Sequence, residues 1–529
     1  MKRKLVTVLL AGSMVLTAMG NIAYASEGTG EDWMTPYDET VTLSTVREAV
    51  AYEFPEGEDL TNSVWTKAYK DVLNVEVVTD WTSDEYDTKL NLAIASGDLP
   101  DVFVADDVQL KQLQEAGMIM DLTEVYEEYA SDTLKGLMEA EPSVFATAKV
   151  DDKIYAIPRL SGGFHPSLLW LRNDWLEETG LEVPATIEEL EAVLTAMKDI
   201  SGNYALAIDQ TLSGLYSLAA AWGVYPEIWV KGEDGNLVYG ATVPEMKEAL
   251  AIWNKWYDAG ILKSDFATMN EDAVKQDVVS GKAGAMMYPS WQGWTFGIDE
   301  VKQQGTDALF LAHELPTADG KAAVYPRQFS NDDYIVVNKN CENPDAVLKL
   351  IDYYVYIQAD AYTNGDMTAE EVEVFNANNM QHTTRPFSVT NTLEDINRYE
   401  MVKEARETGD ESVLKISSAV ECYNATMKWL NEQDPDYVAY ATQFGMEGSA
   451  MEKNYAITND NRIQNDALWG SAPQELLDYG STLDDILLEG FTKIIMGAED
   501  VDYFDTLIEQ WYVAGGQTAT DAVNARYNH

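Results

Sequence analysis

This sequence predicts an α/β protein of two lobes, and three observations carry that expectation. Short apolar runs with strand character alternate with amphipathic stripes of helical spacing along most of the 529 residues. A chain of that length exceeds what one hydrophobic core organises, so several domains are expected. Between Asp152 and Leu181, a strand-like run at 154–157 meets Pro158 and then a polar link from Arg159 to Pro166. A second apolar run at 168–171 follows, and Asp174 opens a helix. Pro158 removes a backbone donor, and Gly162 and Gly163 admit backbone angles closed to other residues. An ordinary surface loop has a similar composition. The link reads as a crossover because complete strand–helix sets precede and follow it.

Composition narrows the partners. Hydrophobic content of 46% supports globular folding, and 14 Trp with 29 Tyr supply many flat faces for stacking. Against 90 acidic residues stand only 35 basic ones, a net charge of −55, which excludes nucleic acid and anionic membrane surfaces as favoured partners. Cys341 and Cys422 are too few for a disulfide framework. At the N-terminus, Lys2, Arg3 and Lys4 precede an apolar run at 5–18, and Ala23-Tyr24-Ala25 fits a cleavage site before Ser26. That is the pattern of a secretory signal peptide, residues 1–25, too short to span a membrane. Its removal takes away three basic residues and leaves a net charge of −58. Residues 26–40 are polar, with Gly, Pro and Asp, and read as a flexible leader.

Taken in order, strand material begins at Val41, a helix is expected over 63–73, and 75–78 reads as a short strand. Thr82 and Glu85 have capping-box spacing ahead of Tyr86, Leu90 and Ile94, and Gly97 supplies the stop. The run 102–105 is a buried strand ending in Asp106 and Asp107. In an open α/β sheet ligands lie beyond the carboxyl ends of strands, so these carboxylates are candidates for binding; a plain helix cap is the competing role. Thr186 with Glu189 and Thr242 with Glu245 repeat the capping-box spacing. The stripe Met246, Leu250, Trp253, Tyr257 marks Trp253 as core. A turn and buried strand lead through Tyr288 to Trp291 and Trp294, which continue no apolar period and are expected to be exposed. Gly293 between them permits a tight turn, so one ring, Trp291, is expected to face a ligand. Residues 333–337 form a strand, and Asn343-Pro344 opens a helix in cap-then-first-position order. Helical patterns return over 393–430, and closing helices are expected at about 482–496 and 502–514, separated by Gly497.

Catalytic patterns are absent or weak. His165, His313, His382 and His529 have no metal-ligand spacing, and no Cys-x-x-Cys, phosphate-loop, G-x-S-x-G or H-E-x-x-H motif occurs. With ninety acids, chance carboxylate pairs are certain, so pairs alone do not argue for glycoside hydrolysis.

The motifs at 96–102 (SGDLPDV), 153–158 (KIYAIP) and 171–176 (LRNDWL), with 282–294, 445–448 and 511–527, follow one another in an order and spacing that is distinctive. Together they resemble the family 1 extracellular solute-binding proteins of ABC importers, over about 41–527, and look most like the larger oligosaccharide- and alginate-binding members. The resemblance implies a type II periplasmic-binding-protein-like α/β fold, with discontinuous lobes joined at a hinge and a ligand cleft between them. The N-terminal lobe is then 41–160 plus 331–378, and the C-terminal lobe 161–330 plus 379–529. It implies no catalysis and no cofactor. The calcium loop of some larger members is not carried over, because the sequence there reads Asp199-Ile200-Ser201-Gly202-Asn203 without the later carboxylates; no metal is expected. Relatives often carry a lipid-modified Cys where this chain has Asn21, so the expectation is a secreted protein, with membrane tethering left open.

A sugar suits such a cleft, since its apolar face lies on aromatic rings and its hydroxyls pair with polar side chains. Candidate ligand-binding residues are Trp291, Trp294, Tyr288, Asp106, Asp107, Trp81, Arg159, His165, Arg385 and Glu447. The leading expectation is a monomeric, secreted protein that captures an oligosaccharide and delivers it to the permease subunits of an ABC importer. A secreted glycosidase or lyase, and a binding protein for peptide or another polar solute, remain the alternatives. Cys341 and Cys422, assigned to different lobes, are expected to stay thiols, since a disulfide needs Cα atoms within roughly 7 Å.

Overall fold

The computed structural model describes residues 32–49, 54–160, 163–328, 333–376, 387–469 and 472–527. The signal-peptide reading of 1–25, Asn21 and Arg385 fall outside them. The chain divides into two compact units. The described parts of Met1–Gly163, Ser330–Glu394 and Ser412–Val420 form the first, and those of Phe164–Phe329, Asp395–Glu411 and Glu421–His529 the second. Residues 387–394 and 412–420 therefore belong with the first unit, where a boundary at 379 had assigned them to the other lobe. For 387–394 hydrogen bonds account for the difference: the Thr390 amide donates to Leu160 O at 3.1 Å, and the Arg159 side chain donates through Nη2 to Ser388 Oγ at 3.0 Å.

In the first unit, Val41–Glu48 pairs in parallel with Val75–Ser83, with a register shift after Thr45. The second strand is nine residues long, not four, because pairing continues to Arg47 with Thr82 and Glu48 with Ser83. Thr82 is therefore a strand residue, and the capping box expected with Glu85 does not form; the helix Tyr86–Ser96 starts from Glu85 with no side-chain cap. A three-stranded antiparallel sheet has Tyr334–Val337 between Val102–Ala105 and Ile157–Pro158. The single strand expected at 154–157 is two short pieces, and Pro158 ends the second at a sheet edge, where its missing donor costs nothing. Helix Pro344–Ala359 forms the centre of this unit, with every residue from Ala346 to Ile357 buried. Its two buried charges are paired: Lys349 Nζ donates to Thr35 O at 2.7 Å, and Asp352 accepts from Ser131 Oγ at 2.5 Å.

Those contacts also correct the flexible leader. From residue 32 onward the largely exposed segment is pinned at two side chains, with Trp33 buried against Tyr356 at 5.6 Å between ring centroids and the Tyr37 hydroxyl on Asp345. Burial of the Trp33 ring and the hydrogen bond at Tyr37 offset part of the entropy lost on ordering this stretch.

The second unit holds a four-stranded sheet in the order Phe310–His313, Ser167–Arg172, Ala285–Pro289, Leu206–Ala207. The first three run antiparallel to their neighbours and the last pairs in parallel. Covered on both faces, Leu168, Leu169, Trp170 and Leu171 are fully buried. Helix Ile187–Ser201 carries the capping box expected of Thr186 and Glu189, with both reciprocal bonds present. Thr242 does not cap; its hydroxyl donates to Tyr239 O, and helix Met246–Asp258 begins after Glu245. Trp253 is core as its spacing requires, together with Trp256, whereas Tyr257 is only half-buried. The closing helices are Gln474–Ile495, Tyr503–Trp511 and Gln517–Tyr527. Cys341 lies in the first unit and Cys422 in the second, both buried thiols. Among the described residues no helix is long and apolar enough to cross a membrane.

Candidate functional site

The first unit contains a cavity of about 380 Å³. One wall is the carboxyl end of the strand Val41–Glu48, presenting Thr45, Val46, Arg47 and Glu48. Another is the carboxyl end of Val102–Ala105, with Val104, Ala105 and Asp106. Residues 84–88, at the start of helix Tyr86–Ser96, form the third, and Arg159, Asp333 and Phe387 complete it. The location is that of ligand sites in open α/β sheets, beyond the strand carboxyl ends.

Its polar groups are held in place. Arg159 Nη1 meets Asp333 Oδ2 at 3.2 Å, with the arginine side chain 9% exposed and the aspartate 48%. Arg47 is buried and its Nη1 donates to Leu60 O at 2.7 Å; burial lowers its pKa to about 10, so it remains charged at neutral pH. Asp106 is the N-cap of helix Asp107–Glu115 in a full capping box: its Oδ1 accepts from the Gln109 amide at 2.7 Å, and Gln109 Oε1 accepts from its own amide. The cap role read from the sequence is thus present, and the same half-buried residue lines the cavity. Burial, then the neighbouring Asp107 and Asp87, hold its carboxyl above the usual range against the Gln109 hydrogen bond. The Tyr86 hydroxyl donates to Val104 O at 2.8 Å, and burial pushes its pKa up. Phe387 is buried with φ of 55°, a left-handed conformation unusual for an aromatic residue. Such strain gathers where surrounding structure over-determines a site.

A second polar–aromatic patch lies in the second unit. Trp291 and Trp294 are each 37% exposed. The segment after the strand is helical, not a loop: Ser290–Gln292 is one tight turn that runs directly into helix Gly293–Gln304. Gly293 is helical there, and its lack of a side chain serves close packing, since a Cβ would sit 2.7 Å from Gln443 Oε1. Trp294 packs edge-on against Tyr440 at 4.8 Å and near Phe444 at 5.8 Å. Arg398 lies over the Phe444 ring at 5.1 Å and pairs with Asp395 at 3.2 Å. Asp395 in turn faces His165 Nε2 at 3.6 Å, while His165 Nδ1 meets Ser290 Oγ at 3.1 Å. Burial pulls the His165 pKa down, with Asp395 opposing it, so the ring is neutral near pH 7.

Of the sequence candidates, Asp106 and Arg159 meet at the first cavity, while Trp291, Trp294 and His165 belong to the second patch. Asp107 sits in the first turn behind its cap, and Trp81 stands on its strand beside Tyr86 at 5.7 Å, with Lys89 Nζ 4.5 Å from its ring. Neither lines the cavity. Tyr288 is a correction: it is buried, paired with Leu168 on the neighbouring strand, and its hydroxyl meets Asp209 Oδ2 at 3.3 Å. Glu447 is exposed. Sequence reasoning missed Arg47, Tyr86 and Asp333. The place of Asp333 at the head of an apolar strand was the available signal. Among the described residues no group of three or more His, Cys, Asp or Glu is arranged to hold a metal.

The model of a bacterial extracellular solute-binding protein matches residues 39–355. The chain belongs to that family, family 1. It is therefore an extracellular, non-enzymatic binding protein that serves an ABC transporter. This solute-binding protein is 24% identical over 486 residues to the lipoprotein LipO of Bacillus subtilis, covering 87% of this chain and 88% of that one. It is 29% identical over 211 residues to FusA of Streptococcus pneumoniae, a fructooligosaccharide ABC transporter substrate-binding protein, covering 35% of this chain and 39% of FusA. Among solved structures, the alginate-binding protein AlgQ2 without calcium ion superposes with a TM-score of 0.59 at 18% identity, over 93% of this chain and 99% of AlgQ2. The α/β fold is thus that of the type II solute-binding proteins along more than nine-tenths of the chain.

Proposed function

We propose that the solute is an oligosaccharide, which the protein captures and hands to the permease subunits of an ABC importer. The observation that carries this reading is the cavity of the first unit. Its volume lies within the range of small-molecule sites, and fixed polar side chains stand beside the rings of Tyr86 and Phe387. Carboxylates there accept hydrogen bonds from hydroxyls, and the rings offer apolar surface to a sugar face. The exposed Trp291 and Trp294 of the second unit supply a further aromatic surface of the kind a pyranose covers. The ligands named for FusA and AlgQ2 support a carbohydrate, and the chemistry at both patches agrees with it. On this reading the two units are the two lobes, and Glu447 and Arg385 belong with the ligand-contacting residues.

Thermal melting of the mature protein against an oligosaccharide panel tests the reading. A true ligand at a hundred times its Kd stabilises by about 2.7 kcal/mol, a rise of several degrees, and isothermal titration then gives the stoichiometry. No shift with any sugar, alongside a shift with a peptide library, would transfer the function to peptide capture.

A further inference from the structure

We infer that the oligosaccharide is not anionic, and that this protein discriminates against uronate oligomers. The inference rests on the oligosaccharide reading and narrows it. Among the described residues lining the cavity, six carry carboxylates (Glu48, Asp84, Glu85, Asp87, Asp106 and Asp333) and two carry guanidiniums, Arg47 and Arg159. Both guanidiniums are committed within the unit. Arg159 spans Asp333 and Ser388, and Arg47 is turned onto the Leu60 carbonyl. What the cavity offers an incoming solute is therefore acceptor oxygens with a surplus of negative charge.

A neutral sugar turns that surplus to advantage, because each hydroxyl donates to a carboxylate in a charge-assisted bond. A uronate brings its own carboxylate into the same field. Across about 9 Å of water-like medium each fixed charge weakens its binding roughly twofold, so a surplus of four weakens it on the order of twentyfold. The net charge of the chain, −55, works in the same direction during approach.

The test is titration calorimetry with matched trisaccharides of one linkage, neutral mannose against mannuronate, with a glucosamine oligomer as the cationic arm. The neutral sugar should bind tens of times more tightly than the uronate at low salt. The gap should narrow in 0.5 M NaCl, where surface charge is screened. Replacing two exposed carboxylates, Asp84→Asn with Asp87→Asn, should raise the ratio of uronate to neutral affinity about fourfold. Tighter binding of the cationic oligomer than of the uronate would agree with the inference, whereas equal or tighter uronate binding, or a ratio unmoved by the double substitution, would each overturn it while leaving carbohydrate capture intact. Binding of none of the three, nor of any neutral sugar in the wider panel, would instead remove the reading beneath it.

Discussion

Glu300 is the group whose replacement should change this protein's stability most legibly. It lies on helix Gly293–Gln304, fully buried, and neither carboxyl oxygen has a hydrogen-bond partner. Burial raises its pKa from 4.5 to about 8; its own backbone amide opposes the rise, Asp299 adds to it, and Lys275 and Arg172 oppose it more weakly. Between those two values the native protein keeps a proton that the unfolded chain has released. Stability therefore falls as pH rises through this window, by up to about 1.4 kcal/mol per pH unit, and levels off above pH 8. Glu300→Gln keeps the shape and removes the titration. From pH 5.5 to 7.5 the variant should gain about 2–3 kcal/mol on the parent. Urea unfolding of both proteins at half-unit pH steps measures the difference directly, and groups common to both cancel. Asp466, raised to about 6 by burial, is one such group. Parallel stability curves for the two proteins would show that Glu300 has no raised pKa and refute the reasoning.

Two further substitutions and one modification separate binding from packing. Trp291→Ala should weaken oligosaccharide binding by roughly 1.5–3 kcal/mol, tenfold or more, with melting temperature unchanged; a lower melting temperature at preserved affinity would place the ring in the core. Trp294→Ala should lower both, since Trp294 also packs on Tyr440 and Phe444. The Cys341 thiol, pushed up to about 11 by burial, should resist alkylation in native protein at pH 8. Two thiols should titrate once the unreduced chain is unfolded, and none would mean a disulfide.

The sequence was most informative where local chemistry decides the outcome. Thr186 and Glu189 cap a helix because the single bridge from Thr186 to Thr317 leaves both side chains free for the cap. Thr82 and Glu85 have the same spacing, but a distant parallel partner at Arg47 draws Thr82 into a strand. Trp253 announced its burial through a helical stripe, whereas the neighbouring Trp256 was concealed by a broader apolar face. At the candidate site, Asp106 was legible from its place after a buried strand. Its cavity neighbour Asp333 reaches Arg159 across 174 residues, a contact no local pattern records. Arg47 was hidden for a related reason. A charged residue in a strand looks solvent-facing until the loop that buries it, here through Leu60, is in place.

The position of Tyr334–Val337 bears on how the chain must be assembled. It is the middle strand of its sheet, yet it is synthesised some 170 residues after the edge strand Ile157–Pro158. Until it arrives, Val102–Ala105 and Ile157–Pro158 have no common partner, and their unpaired edges stand open. A chain emerging from its N-terminus therefore holds an unfinished first unit while most of the second is still being delivered. Such long-range closure slows folding and prolongs the interval in which strands can pair wrongly. The abundance of surface carboxylates, which keeps like chains apart, then has a use before any ligand is met.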